Sequence, residues 1–156
     1  MAKYLEAGSL APAFETIDQD GNPVSLESLR GKKVVLYFYP KDDTPGCTKE
    51  ACNLRDHYAS LQEHGIIILG VSVDDAESHR KFIQKFNLPF PLLLDPDKKI
   101  VEAFQVWGEK NMFGKKYMGI NRVTYLIDEE GKIAKTISKV ELENHANQIL
   151  KAWSLI

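Results

Sequence analysis

The sequence predicts an α/β protein, with a partly parallel mixed sheet covered by helices on both faces. Short β-branched and aromatic runs alternate with stretches of helical period along the chain, the mark of βαβ units. The run KKVVLYFY, Lys32 to Tyr39, is apolar at both odd and even positions, as a central buried strand reads. No Pro/Gly/Ser-rich linker or internal repeat divides the 156 residues, so one domain over 1–156 is expected.

The elements follow in order. FETIDQDGNPVSL carries the turn signal Asp20-Gly21-Asn22-Pro23 between short alternating stretches, which predicts an N-terminal hairpin. Beyond the central strand the period changes. Cys47, Ala51, Leu54, Tyr58 and Leu61 recur at spacings of 4, 3, 4 and 3, one face of a helix. GIIILGVSV reads as a second strand. DDAESHRKFIQKF reads as a helix, with Asp74 and Glu77 at capping-box spacing and His79, Phe82, Ile83 and Phe86 as its stripe. FPLLLD is a short strand. Asp95-Pro96 then reads as the N-cap and first position of a helix bearing Ile100, Val101 and Phe104. VTYLID and KIAKTIS, joined by Glu129-Glu130-Gly131, form a closing hairpin, and a last helix puts Ala146, Ile149, Leu150 and Trp153 on one side.

Charge narrows the function. With 20 Lys and Arg against 22 Asp and Glu, the net charge of −2 argues against a nucleic-acid or anionic-membrane partner. The longest apolar run falls far short of the ~18 residues that span a bilayer, and MAKYLEAGSLAPAF has no signal-peptide core. A cytoplasmic protein is therefore expected. There a structural disulfide is disfavoured, and a cysteine pair points to catalysis or metal binding.

The two cysteines of the chain, Cys47 and Cys52, both lie in YPKDDTPGCTKEACNLRD. Pro45 suits a first helical position and Thr44 the N-cap before it. Cys47 then falls in the first turn, beside unpaired backbone N–H groups and the positive end of the helix dipole, where a thiolate is favoured. Five residues along a helix place the Cα atoms roughly 8.6 Å apart. A disulfide needs about 7 Å or less, so these two cannot bond while the helix is intact. Against a metal centre, His57, His64, His79 and His145 show no paired ligand spacing with the cysteines. A thiol–disulfide exchange protein and a pair of inert buried cysteines remain open beside a third reading. In that reading a thiolate is oxidised alone to a sulfenic acid and captured by its partner after the helix unwinds.

PKDDTPGC resembles the Pro-x-x-x-Thr-x-x-Cys motif of peroxiredoxins, and Cys52 five residues on makes it similar to the peroxiredoxin Q, or bacterioferritin comigratory protein, branch. The likeness continues through AGSLAPAFETIDQDG, VVLYFYPKDDTPGCTKEAC, GVSVDD, FPLLLD, FQVWGEK and INRVTYLIDEEGKI. The resemblance implies a thioredoxin-like fold and a thiol-dependent peroxidase needing no cofactor or metal. It implies Cys47 as the peroxidatic cysteine, Cys52 as the resolving one, and a Cys47–Cys52 disulfide as the product. Thr44 would hydrogen-bond thiolate and peroxide, Pro40 would shield the site from water, and Arg122 would complete the pocket. Hydrogen peroxide or an organic hydroperoxide as substrate, thioredoxin as reductant, and a monomer are further implications. Each residue has a plainer reading too. Thr44 can simply cap the helix, Pro40 end the strand, Arg122 pair with Asp128 or Glu50, and Trp107 pack.

Overall fold

The computed structural model describes residues 4–156; the first three, at the head of the stretch searched for a signal peptide, lie outside it. A mixed five-stranded sheet runs in the order β5-β4-β3-β8-β9. Its strands are β3 (Lys33–Phe38), β4 (Ile66–Ser72), β5 (Leu92–Leu94), β8 (Val123–Ile127) and β9 (Ile133–Ile137). β3 pairs parallel with β4 and antiparallel with β8, as befits the central strand read from KKVVLYFY.

The two faces of β3 serve two cores. Val35 and Tyr37, with Tyr39 just beyond the strand, meet α1 (Pro45–Asp56), α2 (Tyr58–Glu63), α3 (Ala76–Phe86) and α5 (His145–Ala152) through Cys47, Leu54, Leu61, Phe82 and Ile149. Val34, Leu36 and Phe38 pack on the opposite side against α4 (Lys99–Ala103), Phe14 and Ile120. The sheet edges are partly covered. The N-terminal hairpin, β1 (Glu15–Ile17) and β2 (Pro23–Ser25), lies at β5, where the Thr16 hydroxyl donates to the Leu94 carbonyl. At β9 the amide of Gly8 donates to the Ile133 carbonyl and the amide of Ile133 to the Ser9 carbonyl, both 2.8 Å. Covered edges do not template pairing with other chains.

Four details differ from the sequence reading. The helical stripe from Cys47 to Leu61 is two helices, broken at His57, whose ring Nδ1 lies 2.9 Å from the Asn53 carbonyl that its own amide uses. A side chain competing in the helical ladder bends it. Asp75, not Asp74, caps α3 by accepting from the Ser78 amide at 2.8 Å; Asp74 turns inward instead. Asp95 and Pro96 precede α4 by a turn, and the Asp95 carboxylate accepts from the Ile100 and Val101 amides across it. Finally, β6 (Trp107–Met112) and β7 (Lys115–Ile120) form a hairpin around Phe113-Gly114, both at positive φ. Its strands mix Glu109, Lys110, Asn111, Lys115 and Lys116 with Met and Tyr on largely exposed faces, so no alternation announces them.

Candidate active site

The site forms where β3 runs out and α1 begins. Pro40 is half-buried just past the strand, and the loop after it is pinned from below by Asp42. The Asp42 carboxylate is buried and accepts from the Tyr39 hydroxyl, from Ser78 Oγ at 2.8 Å and from His79 Nδ1 at 2.7 Å. His79 Nε2 lies 2.9 Å from the Leu93 carbonyl and so carries a hydrogen, which leaves Nδ1 to meet the Asp42 carboxyl group. Asp74 accepts from the Asp42 amide and from Ser72 Oγ at 2.8 and 2.7 Å. Asp42, Asp74 and His79 bring ligand atoms within 4.8 Å of one another. Those atoms are already engaged in these hydrogen bonds, and the cluster holds the loop to α3, β4 and β5.

α1 starts as expected, with Thr44 at the N-cap and Pro45 in the first turn, and it runs unbroken through Cys47 and Cys52. Both thiols are free; Cys47 is 1% exposed and Cys52 half-buried. Helical rise keeps their Cα atoms roughly 8.6 Å apart in this form. Thr44 departs from a conventional cap. Its hydroxyl donates back to the Lys41 carbonyl at 2.8 Å and makes no side-chain cap hydrogen bond among the described residues, so its oxygen keeps its accepting capacity.

Arg122, one residue before β8, joins the site from the strand paired beside β3. Its Nη2 donates to Cys47 Sγ at 3.3 Å, and its Nη1 to Glu50 Oε1 at 2.7 Å. The plain pairing with Glu50 and the contact to sulfur thus coexist in one fork. Gly46 makes room for it: a Cβ there would meet Arg122 Nη2 at 3.1 Å. Burial opposes the Arg122 charge, but Glu50 and Cys47 outweigh it and hold the guanidinium above its ordinary range. Burial also dominates at Glu50, pushing it up to about 7 despite the opposing guanidinium. Lys110 of β6 is held lower than usual by burial and by Arg122, while Cys47 pulls the other way; its Nζ donates to the Ile120 carbonyl at 2.7 Å.

Of the residues expected at the site, Cys47 and Arg122 are in contact, Thr44 and Pro40 border the same helix start, and Cys52 lies further along the helix. Trp107 packs at the margin of the second core with Lys98 Nζ 5.2 Å from its ring centroid. Sequence reading did not find His145, Thr124 or Lys110. His145 and Lys110 are distant from Arg122 in sequence, and only the fold brings them behind or beside it. Thr124, on the strand that follows Arg122, carries no motif of its own.

A sulfur sealed in the first turn of a helix and gripped by an arginine, on a thioredoxin fold, defines a class of thiol-based redox enzymes. Residues 7–136 match the AhpC/TSA family, to which the chain belongs. It is similar to peroxiredoxin Bcp of Bacillus subtilis, 50% identical over 147 residues and 94% of either chain. Peroxiredoxin Bcp of Escherichia coli K12 is 45% identical over 146 residues, again 94% of each. Among solved structures, the bacterioferritin comigratory protein of Xanthomonas campestris, described for alkyl peroxide reduction, superposes with a TM-score of 0.88. It is 36% identical, over 96% of this chain and 97% of that one. AhpC of Mycobacterium tuberculosis, 22% identical with a TM-score of 0.81, shares the fold. The peroxiredoxin Q resemblance, the thioredoxin fold and a thiol peroxidase activity are thereby established for this chain.

Proposed function

We propose that Cys47 is the attacking thiolate and that Cys52 resolves the product. The Cys47 sulfur attacks the terminal oxygen of R–O–O–H, the O–O bond breaks, and RO⁻ takes a proton from solvent. Sulfur, oxidised by two electrons, is left as a sulfenic acid. The Cys52 thiolate then attacks that sulfur, expels hydroxide as water, and forms the Cys47–Cys52 disulfide. A dithiol reductant of the thioredoxin type returns both thiols. In this reading R is hydrogen or an alkyl group, and the enzyme works as a cytoplasmic monomer.

What supports the reading is the 3.3 Å contact from Arg122 Nη2 to the buried Cys47 Sγ. Thiol–disulfide exchange needs no such cation. Making the thiol more acidic achieves little alone, because nucleophilicity falls with a Brønsted slope of about 0.4–0.5 as basicity falls. Rate must come instead from orienting the peroxide and stabilising charge on the departing oxygen. Arg122, the amides of Gly46 and Cys47, and the free lone pair of Thr44 are the groups at hand, with Pro40 closing off water. Reduced protein mixed with hydrogen peroxide or an alkyl hydroperoxide should consume one equivalent in a single turnover. Failure with both peroxides, by protein that still exchanges disulfides with thioredoxin, would sink the assignment.

A further inference from the structure

Behind Arg122 lies a second acid–base pair that the peroxide chemistry above does not use. Glu50 is fully buried, and while Oε1 holds Arg122, Oε2 has no hydrogen-bond partner among the described residues. Its polar neighbour is the Nε2 of His145 at 3.6 Å, and His145 is itself fully buried at the start of α5. The protons on that ring can be placed. Gln148 Oε1 accepts from the Glu141 amide at 2.9 Å, and Gln148 Nε2 donates to the Lys139 carbonyl at 3.0 Å, which fixes the amide orientation. His145 Nδ1, 2.8 Å from that Oε1, must therefore carry a hydrogen. Burial holds the ring neutral, moving it down to about 4. Nε2 is then bare, and it accepts from the Thr124 hydroxyl at 2.9 Å.

A bare nitrogen offers Glu50 Oε2 no proton. An ionised Glu50 would leave a buried carboxylate oxygen without a donor, beside a nitrogen already occupied by Thr124, which is strongly disfavoured. Other charged and titratable groups around Glu50 do not change this. Arg122 already serves Oε1, Cys47 on α1 is engaged by the other arm of Arg122, and the Tyr37 phenol of β3 is held neutral by burial and by Glu50. Lys110 of β6 bears on Arg122, and Glu141 lies toward the far side of His145.

We propose that Glu50 works as a neutral acid, kept protonated by burial beside a His145 Nε2 that brings it no proton, and that this pair sets how much of the Arg122 charge reaches the Cys47 sulfur. Neither residue is placed against substrate; both are positioning residues acting through Arg122. The inference rests on the role given to Arg122 in the proposed function. With Glu50 neutral, the guanidinium charge serves the thiolate and the charge growing on the departing oxygen. With Glu50 ionised, a negative charge sits behind the guanidinium and opposes both.

The test is the single-turnover rate constant with peroxide, measured from about pH 6 to about pH 9 on the reduced protein. Wild type should fall about threefold to tenfold as Glu50 ionises, a partial version of losing a charge-stabilising donor outright. Glu50→Gln, which keeps an oxygen for Arg122 but cannot ionise, should lose that falling limb. A falling limb that persists in Glu50→Gln, or a uniform drop at every pH, overturns the proposal. Protein labelled with ¹⁵N-histidine gives a readout that needs no variant. His145 should remain the neutral, Nδ1-protonated tautomer at neutral pH, with its Nε2 resonance moving as Glu50 titrates. A cationic His145, or a proton on Nε2, also overturns it. Arg122→Ala separates the two layers: if it slows the reaction while Glu50→Gln keeps the falling limb, only the positioning role fails.

Discussion

Arg122 Nη2 sits 3.3 Å from Cys47 Sγ while the other arm of the same guanidinium holds Glu50 at 2.7 Å. The fork is planar, so one carboxylate aims the cation at the sulfur. Arg122→Ala should slow the first reaction with peroxide by about 10²–10³, the usual consequence of deleting one donor to developing negative charge. Arg122→Lys should recover only part of this, since an ammonium cannot span both partners. Stopped-flow rates beside the thiolate fraction, read by alkylation, check it. A rate loss no larger than the loss of thiolate would mean Arg122 only tunes the thiol.

Cys52 is half-buried on the unbroken helix that carries Cys47. Cys52→Ser should therefore leave the first turnover within about twofold, because nothing in the first step needs that sulfur. Turnover with thioredoxin should stop. Mass spectrometry of the variant should show Cys47 as sulfenic acid and, with excess peroxide, sulfinic acid. A first turnover that is lost as well would remove Cys52 from the resolving role.

The reach of sequence reading follows from which distances it can measure. Cys47 on a helix start, the two-faced strand and the βαβ alternation are local patterns, and the structure has all three. The family resemblance around INRVTYLID marks Arg122, and Glu50 enters only as one of two partners for it. His145 lies beyond reach, because nothing local marks a histidine in ELENHANQIL as the neighbour of an acid in TKEAC. The hairpin at Trp107–Ile120 escaped for another reason. It buries little, so its residues are not under the alternation that burial imposes.

Glu50 and His145 should also leave opposite marks on stability. Glu50 is raised from 4.5 to about 7 by burial, so its neutral form favours the fold at low pH. That contribution is lost as pH rises from about 4.5 to about 7. His145 is lowered from 6.5 to about 4 by burial, so its contribution is present above 6.5 and lost as pH falls toward 4. Each is worth on the order of 3 kcal/mol, and over the shared window they nearly cancel. Denaturant unfolding of Glu50→Gln should reveal the histidine alone, with stability climbing by about 2–3 kcal/mol between pH ~4 and ~6.5 relative to wild type. Parallel pH profiles for the two proteins would show that the pair does not titrate this way.

The last prediction joins the loop anchor to the second chemical step. Asp42 is buried with the His79 ring and two hydroxyl donors on its oxygens, and its own amide is held by Asp74. Removing that carboxyl group leaves the buried imidazole and two hydroxyls without their partner, at about 1–3 kcal/mol for each group left unpaired. Asp42→Ala should lower global stability by that order, while Asp42→Asn, still able to accept one of those bonds, should lose less. The effect on rate should be uneven. Peroxide attack needs the first turn of α1 intact, whereas disulfide formation needs it undone, because the Cα atoms start roughly 8.6 Å apart against a limit of about 7 Å. A loop freed from α3 should make that unwinding easier. In Asp42→Asn the rate of Cys47–Cys52 bond formation should rise severalfold while peroxide attack falls or stays level, seen as two phases in one stopped-flow trace. If both phases slow together, the anchor supports the folded site alone and has no part in releasing the helix.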